Sequence, residues 1–262
     1  MDQVKFLLKF GKKEHIQSFA QGSLYFSNAK IFWGIEDNLK IKGQGDRLEA
    51  SSRIFAKSIS IFDWEDGHFV GNLPSSSGLV RYEPAEQIPV FCLFTVFEKD
   101  CSLTSDGITK ICLSKDLKDT VRTHFPEADT VAIIDDPMQF ILDVVNSISS
   151  EVKHGNVEYF NIDKGYQRDD GSVAMDMDYM RYLMQDTPAI VEGNRKTLRF
   201  LEKYVYRCLF CKDNYFRDEQ EYRIVLKDEK IQSSKVYQIN FTKNFDVLDL
   251  NDFLNCESIS IF

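Results

Sequence analysis

The chain has 262 residues, 43% of them hydrophobic and 28% charged, with 21 Phe and 11 Tyr. That is enough apolar bulk for a large core, which excludes a disordered chain. The formal net charge of -9 repels phosphate backbones at long range, so no extended nucleic-acid-binding surface is expected.

No apolar run approaches the ~20 residues that cross a bilayer. Residues 1–10 carry no signal-peptide pattern. The expectation is a cytoplasmic protein away from membranes, with its six cysteines reduced. The pair Cys208-Leu-Phe-Cys211 has no second CxxC and no paired His, so it reads as buried thiols, with no metal expected. Arg195, Lys196, Arg199 and Lys203 read as the solvated face of a helix.

In chain order, Val4 to Phe10 alternates as a strand, and residues 12 to 21 follow as a short amphipathic helix that Gly22 stops. Leu24 to Ser27 is a second strand, with Leu24 and Phe26 on one face and Tyr25 and Ser27 on the other. Asn28 to Arg53 reads as a long loop with a short helix, residues 53 to 62 as a strand, and Asp63 to Pro89 as a loop-rich stretch with room for one hairpin. Val90 to Phe97 is nearly all apolar and reads as a central buried strand.

Val131 to Ile134 is a short strand. Asp136 caps the helix after it, with Pro137 at its first position and Gln139 completing a capping box. Met138, Ile141, Val145 and Ile148 make its apolar stripe. His154-Gly155-Asn156 reads as a break before a strand at Val157 to Phe160. Residues 161–189 read as a lid or insertion, or as a helix that packs Met177, Met180 and Met184 on the core. A stripe of Leu198, Leu201, Val205 and Cys208 precedes strands at Tyr222 to Leu226 and Val236 to Phe241. The pattern is that of an α+β protein: a single domain over 1–262, with a mixed, mostly antiparallel sheet core flanked by helices.

The sharpest local feature is Phe216-Arg-Asp-Glu-Gln-Glu-Tyr-Arg-Ile-Val225. On a strand, Tyr222, Ile224 and Leu226 face a core, and Glu219, Glu221, Arg223 and Val225 share the other face. Two carboxylates and a guanidinium on one strip suit a hydroxyl-rich or cationic ligand, and equally an exposed face with a cross-strand salt bridge. The loop Gly45-Asp-Arg-Leu-Glu49 is a second charged cluster. The common nucleotide-binding glycine loops are absent.

The blocks Leu8-Lys-Phe-Gly11, Gly22-Ser-Leu-Tyr-Phe-Ser-Asn28 with Phe32, Gly45 to Glu49 and Phe216 to Val225 resemble, in their order, a family of uncharacterised bacterial and phage-associated proteins. Val131-Ala-Ile-Ile134 and Gly155-Asn-Val-Glu-Tyr159 fit the same series, so the resemblance spans residues 4 to 227. A weaker resemblance is to ADP-ribosyltransferases, and it implies an ADP-ribosyltransferase-like sheet with NAD as substrate and no metal. By position it implies that Lys9, Tyr25, Ser27 and Arg223 bind the dinucleotide. Glu221 would be the catalytic carboxylate, with Glu219 upstream in a Glu-x-Glu pair serving a protein or nucleic-acid acceptor. Lys9 stands where Arg or His is usual, and the Ser-Thr-Ser signature of the arginine-modifying branch is missing. Two functions remain open: an NAD-dependent transferase or NAD hydrolase, or a non-catalytic interaction module of a phage-defence or counter-defence system.

Overall fold

The structure is a computed structural model that describes residues 3–39, 46–105, 107–185, 187, 190–192, 195–197 and 201–261. The fold is mixed α+β with a mostly antiparallel sheet core. The chain forms two compact units, one of residues 1–47, 87–157 and 215–262 and the other of residues 48–86 and 158–214.

The first unit is built on a six-stranded sheet. Its strands are β1 (Val4–Gly11), β3 (Val90–Phe97), β4 (Thr130–Ile134), β5 (Val152–Asn156), β6 (Glu221–Leu226) and β8 (Asp246–Asp249). They lie in the order β8-β4-β1-β3-β6-β5, and every neighbouring pair is antiparallel. A separate two-stranded ladder joins β2 (Ser23–Phe26) to β7 (Lys235–Gln238). The helices used below are α1 (Lys13–Ala20), α2 (Lys115–His124), α3 (Pro137–Ser147) and α4 (Leu250–Asn255).

Both faces of the sheet are covered, and alternation along the strands serves both. Leu7, Leu93, Ala132, Ile134, Tyr222 and Ile224 pack with Ile16 and Phe19 of α1 and with Phe140, Ile141 and Val144 of α3. Phe6, Leu8, Phe94, Val96, Val131 and Ile133 pack with Leu117 and Val121 of α2 and with Leu250, Phe253 and Leu254 of α4. This double cover explains why β3 and β4 read as near-continuous apolar runs.

Burial also changes the reading of β6. All six of its residues are buried, so the face carrying Glu221 and Arg223 is an interior face, opposite the one shared by Tyr222, Ile224 and Leu226. Asp136 caps α3 as expected, its Oδ1 accepting from the Gln139 amide at 3.0 Å. Such a cap stabilises by about 1 kcal/mol. The Gln139 side chain does not close a box; it reaches forward to Asp143 Oδ1 at 2.8 Å. The buried stripe of α3 is Phe140, Ile141 and Val144, whereas Met138 and Val145 are exposed. His154, Gly155 and Asn156 do not break the chain: they pair with Ile224, Arg223 and Tyr222 within β5. Residues 29–39 are a full helix, Ala29–Leu39, longer than the short one expected there.

In the second unit, the loop-rich reading of 63–89 gives way to a long hairpin of strands Ser51–Phe62 and Phe69–Arg81. Strand Glu158–Phe160 pairs parallel with Cys211–Asp213 in a two-stranded sheet and is not a strand of the six-stranded one. Helix Met177–Met184 buries Tyr179 and Leu183, and Met177 faces solvent. Arg195–Thr197 is a strand paired with Ile190–Glu192, so Arg195 and Lys196 do not form a helix face. Arg199, Leu198 and Gly45 lie outside the described residues. Val205 and Cys208 are buried on a 3-10 helix, Glu202–Phe210. The two units also account for the absence of a visible linker: the chain passes between them at 47/48, 86/87, 157/158 and 214/215 rather than once.

Candidate functional site

The site in the first unit originates in a fork in the sheet. Pairing between β1 and β3 runs no further than Leu8 with Phe94. Beyond that point β1 stays with β4 as far as Gly11 opposite Thr130. The start of β3 stays with β6 as far as Val90 opposite Val225, and Val90 also bridges to Ser27 at the end of β2. Lys9 is the first residue of β1 past the last pair. Its Nζ donates to the Cys92 carbonyl oxygen at 2.8 Å and lies 4.5 Å from the centre of the Phe91 ring. The amine therefore takes the place of the hydrogen bonds that a continued ladder would have made.

Burial holds the Lys9 pKa below the ordinary lysine value, while electrostatic interactions with Cys92 and Glu221 oppose that shift. A lysine so placed titrates more readily than one at the surface.

A cavity of about 570 Å³ opens beside the fork, within the range of small-molecule sites. Lys9, Phe10 and Gly11 form one wall. Ile16, Phe19 and Phe91 supply an apolar wall, in which Phe19 stacks on Phe91 at 5.8 Å between centroids. His15 and Ser23 add polar groups, and Tyr25, 61% exposed, stands at the rim. Sequence β1, the tight turn into α1 and the alternation of β2 place these groups: Leu24 and Phe26 go to the core, so Tyr25 goes outward.

Of the residues expected to act together, Lys9 and Tyr25 share this cavity. Ser27 does not line it; its backbone exchanges hydrogen bonds with Val90 at 2.9 and 2.8 Å. Glu221 and Arg223 lie on the opposite face of the sheet from Lys9 and are paired with each other. Arg223 Nε donates to Glu221 Oε1 at 2.7 Å and Nη2 to Oε2 at 3.1 Å, with the arginine side chain only 1% exposed. Burial and the adjacent Glu221 charge push the Cys92 thiol pKa up, and the two side chains are hydrogen-bonded.

Glu219 and Glu221 do not form one strip. Gln220 has a φ of 41°, in the left-handed region, and Glu219 belongs to the 3-10 turn Asn214–Glu219 rather than to β6. Glu219 Oε1 lies 2.9 Å from His124 Nδ1, both side chains being largely buried, and the His124 ring stacks on Tyr215. The Gln220 amide in turn donates to the Thr95 carbonyl at 3.0 Å and to Asp100 Oδ2 at 3.1 Å.

Sequence reasoning missed Cys92, His15 and His124. Each reaches its partners from a different element, and no local spacing announces such a group. In the second unit, Asp63, Asp66 and His68 bring their ligand atoms within 4.8 Å of one another in the turn of the long hairpin. Asp63 accepts there from the Glu65 amide at 2.8 Å and Asp66 from the His68 amide at 2.9 Å, so both carboxylates serve the turn itself. Among the described residues, no helix is long and apolar enough to cross a membrane. Comparison of the chain with family models, with curated proteins and with solved structures gives no match.

Proposed function

We propose that the first unit binds a small ligand with a planar ring and an anionic group in the cleft at the β1–β3 fork, with NAD as the candidate. The observation that carries this reading is the meeting of Lys9 and Tyr25 on one cavity beside Phe91. An ammonium group anchors phosphate, and aromatic side chains supply stacking surfaces for a nicotinamide or adenine ring. His15 and Ser23 offer further hydrogen bonds to ribose or phosphate oxygens.

Transfer of ADP-ribose, or hydrolysis of NAD, further requires a carboxylate at the ribose to support an oxocarbenium-like transition state. Glu221 is the residue assigned that role, and it is engaged by Arg223 behind the sheet. The transferase reading therefore requires Glu221 to exchange Arg223 for the substrate. The competing reading, a non-catalytic module, is favoured by that same pairing.

The test is calorimetric titration of the full chain with NAD, ADP-ribose and nicotinamide, together with an NAD-consumption assay. Binding of NAD that is lost in Lys9→Ala and weakened in Tyr25→Ala, with melting temperatures unchanged, supports the cleft. Turnover in addition supports the enzyme, and binding without turnover supports the module. No binding of any of the three compounds removes the proposal.

A further inference from the structure

The surroundings of Lys9 Nζ do little to hold a proton on it. Its hydrogen bond, at 2.8 Å, goes to the Cys92 carbonyl oxygen, a neutral acceptor. Glu221, which acts on it electrostatically, is itself engaged by Arg223 through two hydrogen bonds. The Cys92 thiol is pushed up by burial and stays neutral. Among the described residues lining the cavity beside Lys9, none is acidic, and Phe10, Ile16, Phe19 and Phe91 give it apolar walls. Desolvation by such walls is what turns a lysine from an ammonium into a nucleophilic amine. Burial does lower the Lys9 pKa.

We propose that Lys9 is a nucleophile that condenses with an aldehyde carried on an aromatic body, forming an imine in this cavity. Three features select that chemistry. The first is room: about 570 Å³ holds one ring with short substituents. The second is the wall. Phe19 stacks on Phe91, and the centre of the Phe91 ring lies 4.5 Å from Nζ, so a ring resting on these side chains brings its carbonyl to the amine. The third is position. Donation to the Cys92 carbonyl uses one N–H of the neutral amine, fixes the nitrogen and leaves its lone pair for attack. The amine that binds an anion when protonated is a nucleophile when neutral, so this inference stands on the cavity and not on NAD. A chain that ignores NAD can still form the imine.

The step balances without an oxidant or a reductant. The neutral amine attacks the carbonyl carbon, a C–N bond forms, and the π pair of C=O moves to oxygen. One amine proton passes to that oxygen, which gives a carbinolamine. The nitrogen lone pair then expels the hydroxyl, which leaves as water with the second amine proton, and C=N remains. His15, on the same lining, is the group that can carry the proton between nitrogen and the departing hydroxyl.

The experiment treats the full chain with benzaldehyde and cyanoborohydride, which reduces any imine to a stable amine, and locates the label by peptide mass spectrometry. The internal reference is Lys13, an exposed lysine in the first turn of α1. Lys9 should take the label at least about tenfold faster than Lys13. Excess benzyl alcohol, which has the same shape and no carbonyl, should slow Lys9 and leave Lys13 unchanged. In urea-unfolded chain the two lysines should react at the same rate. Equal rates in the folded chain overturn the proposal. A fast Lys9 that benzyl alcohol does not slow overturns the cavity as the binding site, and a preference that survives unfolding assigns the reactivity to local sequence and overturns it as well.

Discussion

Arg223 holds Glu221 through two hydrogen bonds, from Nε at 2.7 Å and from Nη2 at 3.1 Å, inside a sheet covered on both faces. Two charges taken out of water together are tolerable, and one left behind is not. Arg223→Met should therefore cost about 3–5 kcal/mol in urea unfolding, by taking the guanidinium away from a buried carboxylate. The double variant Glu221→Gln with Arg223→Met removes both charges and should recover a large part of that loss. Equal losses in the single and double variants would mean that the guanidinium matters for its packing rather than its charge.

This pairing also bears on any activity assay. Glu221→Gln, which on the transferase reading removes only a catalytic charge, also removes the carboxylate that Arg223 holds in the interior. An activity loss in that variant has meaning only beside its unfolding curve, and the expected curve is shifted to lower denaturant.

Lys9 supplies a pH test of the proposed cleft. An amine binds an anion when protonated, and burial lowers the Lys9 pKa from its ordinary value. Affinity for ADP-ribose should be full while the amine is protonated. It should fall, as pH rises, earlier than a surface lysine would allow. Lys9→Arg keeps its charge across this range, so any binding it retains should lack the alkaline decline. A decline of the same shape in Lys9→Arg would assign the titration to another group.

Gly22 ends α1 with a φ of +98°, and its carbonyl accepts from the Ile239 amide at 2.8 Å. A Cβ at this position would collide with the Ile239 carbonyl oxygen. Gly22→Ala should cost at least about 2 kcal/mol, from the left-handed backbone together with the clash. Gly34 in the helix Ala29–Leu39 is the control. A Cβ there meets nothing within 4 Å, so Gly34→Ala should stabilise by about 0.5–1 kcal/mol. Thermal melts of the two variants should move in opposite directions.

Local chemistry was legible in the sequence, and its long-range consequences were not. Period-2 alternation found β1, β2 and β6, an apolar run found β3, short strand-like stretches found β4 and β7, and the Asp136-Pro137 pair marked the start of α3. The stripe on α3 was misplaced because Phe140 and Val144 compete with Met138 and Val145 on a helix that is apolar nearly all round. The hairpin at 51–81 was obscured by Gly71, Pro74, Gly78 and three consecutive serines, residues that signal loops but sit here in a two-stranded ribbon with a solvated face. At the site, alternation correctly sent Tyr25 outward and Glu221 away from Tyr222. It could not tell that the second face of β6 is buried too, since burial of a strand's second face is set by the tertiary fold and leaves no local mark beside Glu221 and Arg223. The sequence Ser258-Ile-Ser-Ile-Phe262 is instructive in the same way: it repeats Ser58-Ile-Ser-Ile-Phe62 residue for residue, yet Ile259–Ile261 pairs in a three-stranded sheet of the first unit and Ser58–Phe62 in the hairpin of the second.

Glu151 ties the two lysines beside the end of the sheet, with Lys153 Nζ at 2.6 Å from Oε1 and Lys227 Nζ at 2.7 Å from Oε2. Hydrogen bonds from Lys153 and Lys227 hold its carboxyl pKa at about 2, below an ordinary value of 4.5. The folded pKa is the lower one, so the unfolded chain takes up the proton first as pH falls. The contribution to stability is therefore complete above pH 4.5 and is lost progressively toward pH 2. Its size is limited because the carboxylate is nearly half exposed and screened, and exposed ion pairs contribute at most about 1 kcal/mol. Glu151→Gln should thus lower stability by less than about 1 kcal/mol at pH 7, by less again in high salt, and by almost nothing near pH 2. Urea midpoints of wild type and variant, measured at matched pH from 7 downward, should converge as the carboxyl titrates. A gap that stays constant through that range would show that Glu151 acts through its backbone and shape, the Lys227 amide bond to its carbonyl at 3.1 Å included, and not through its charge.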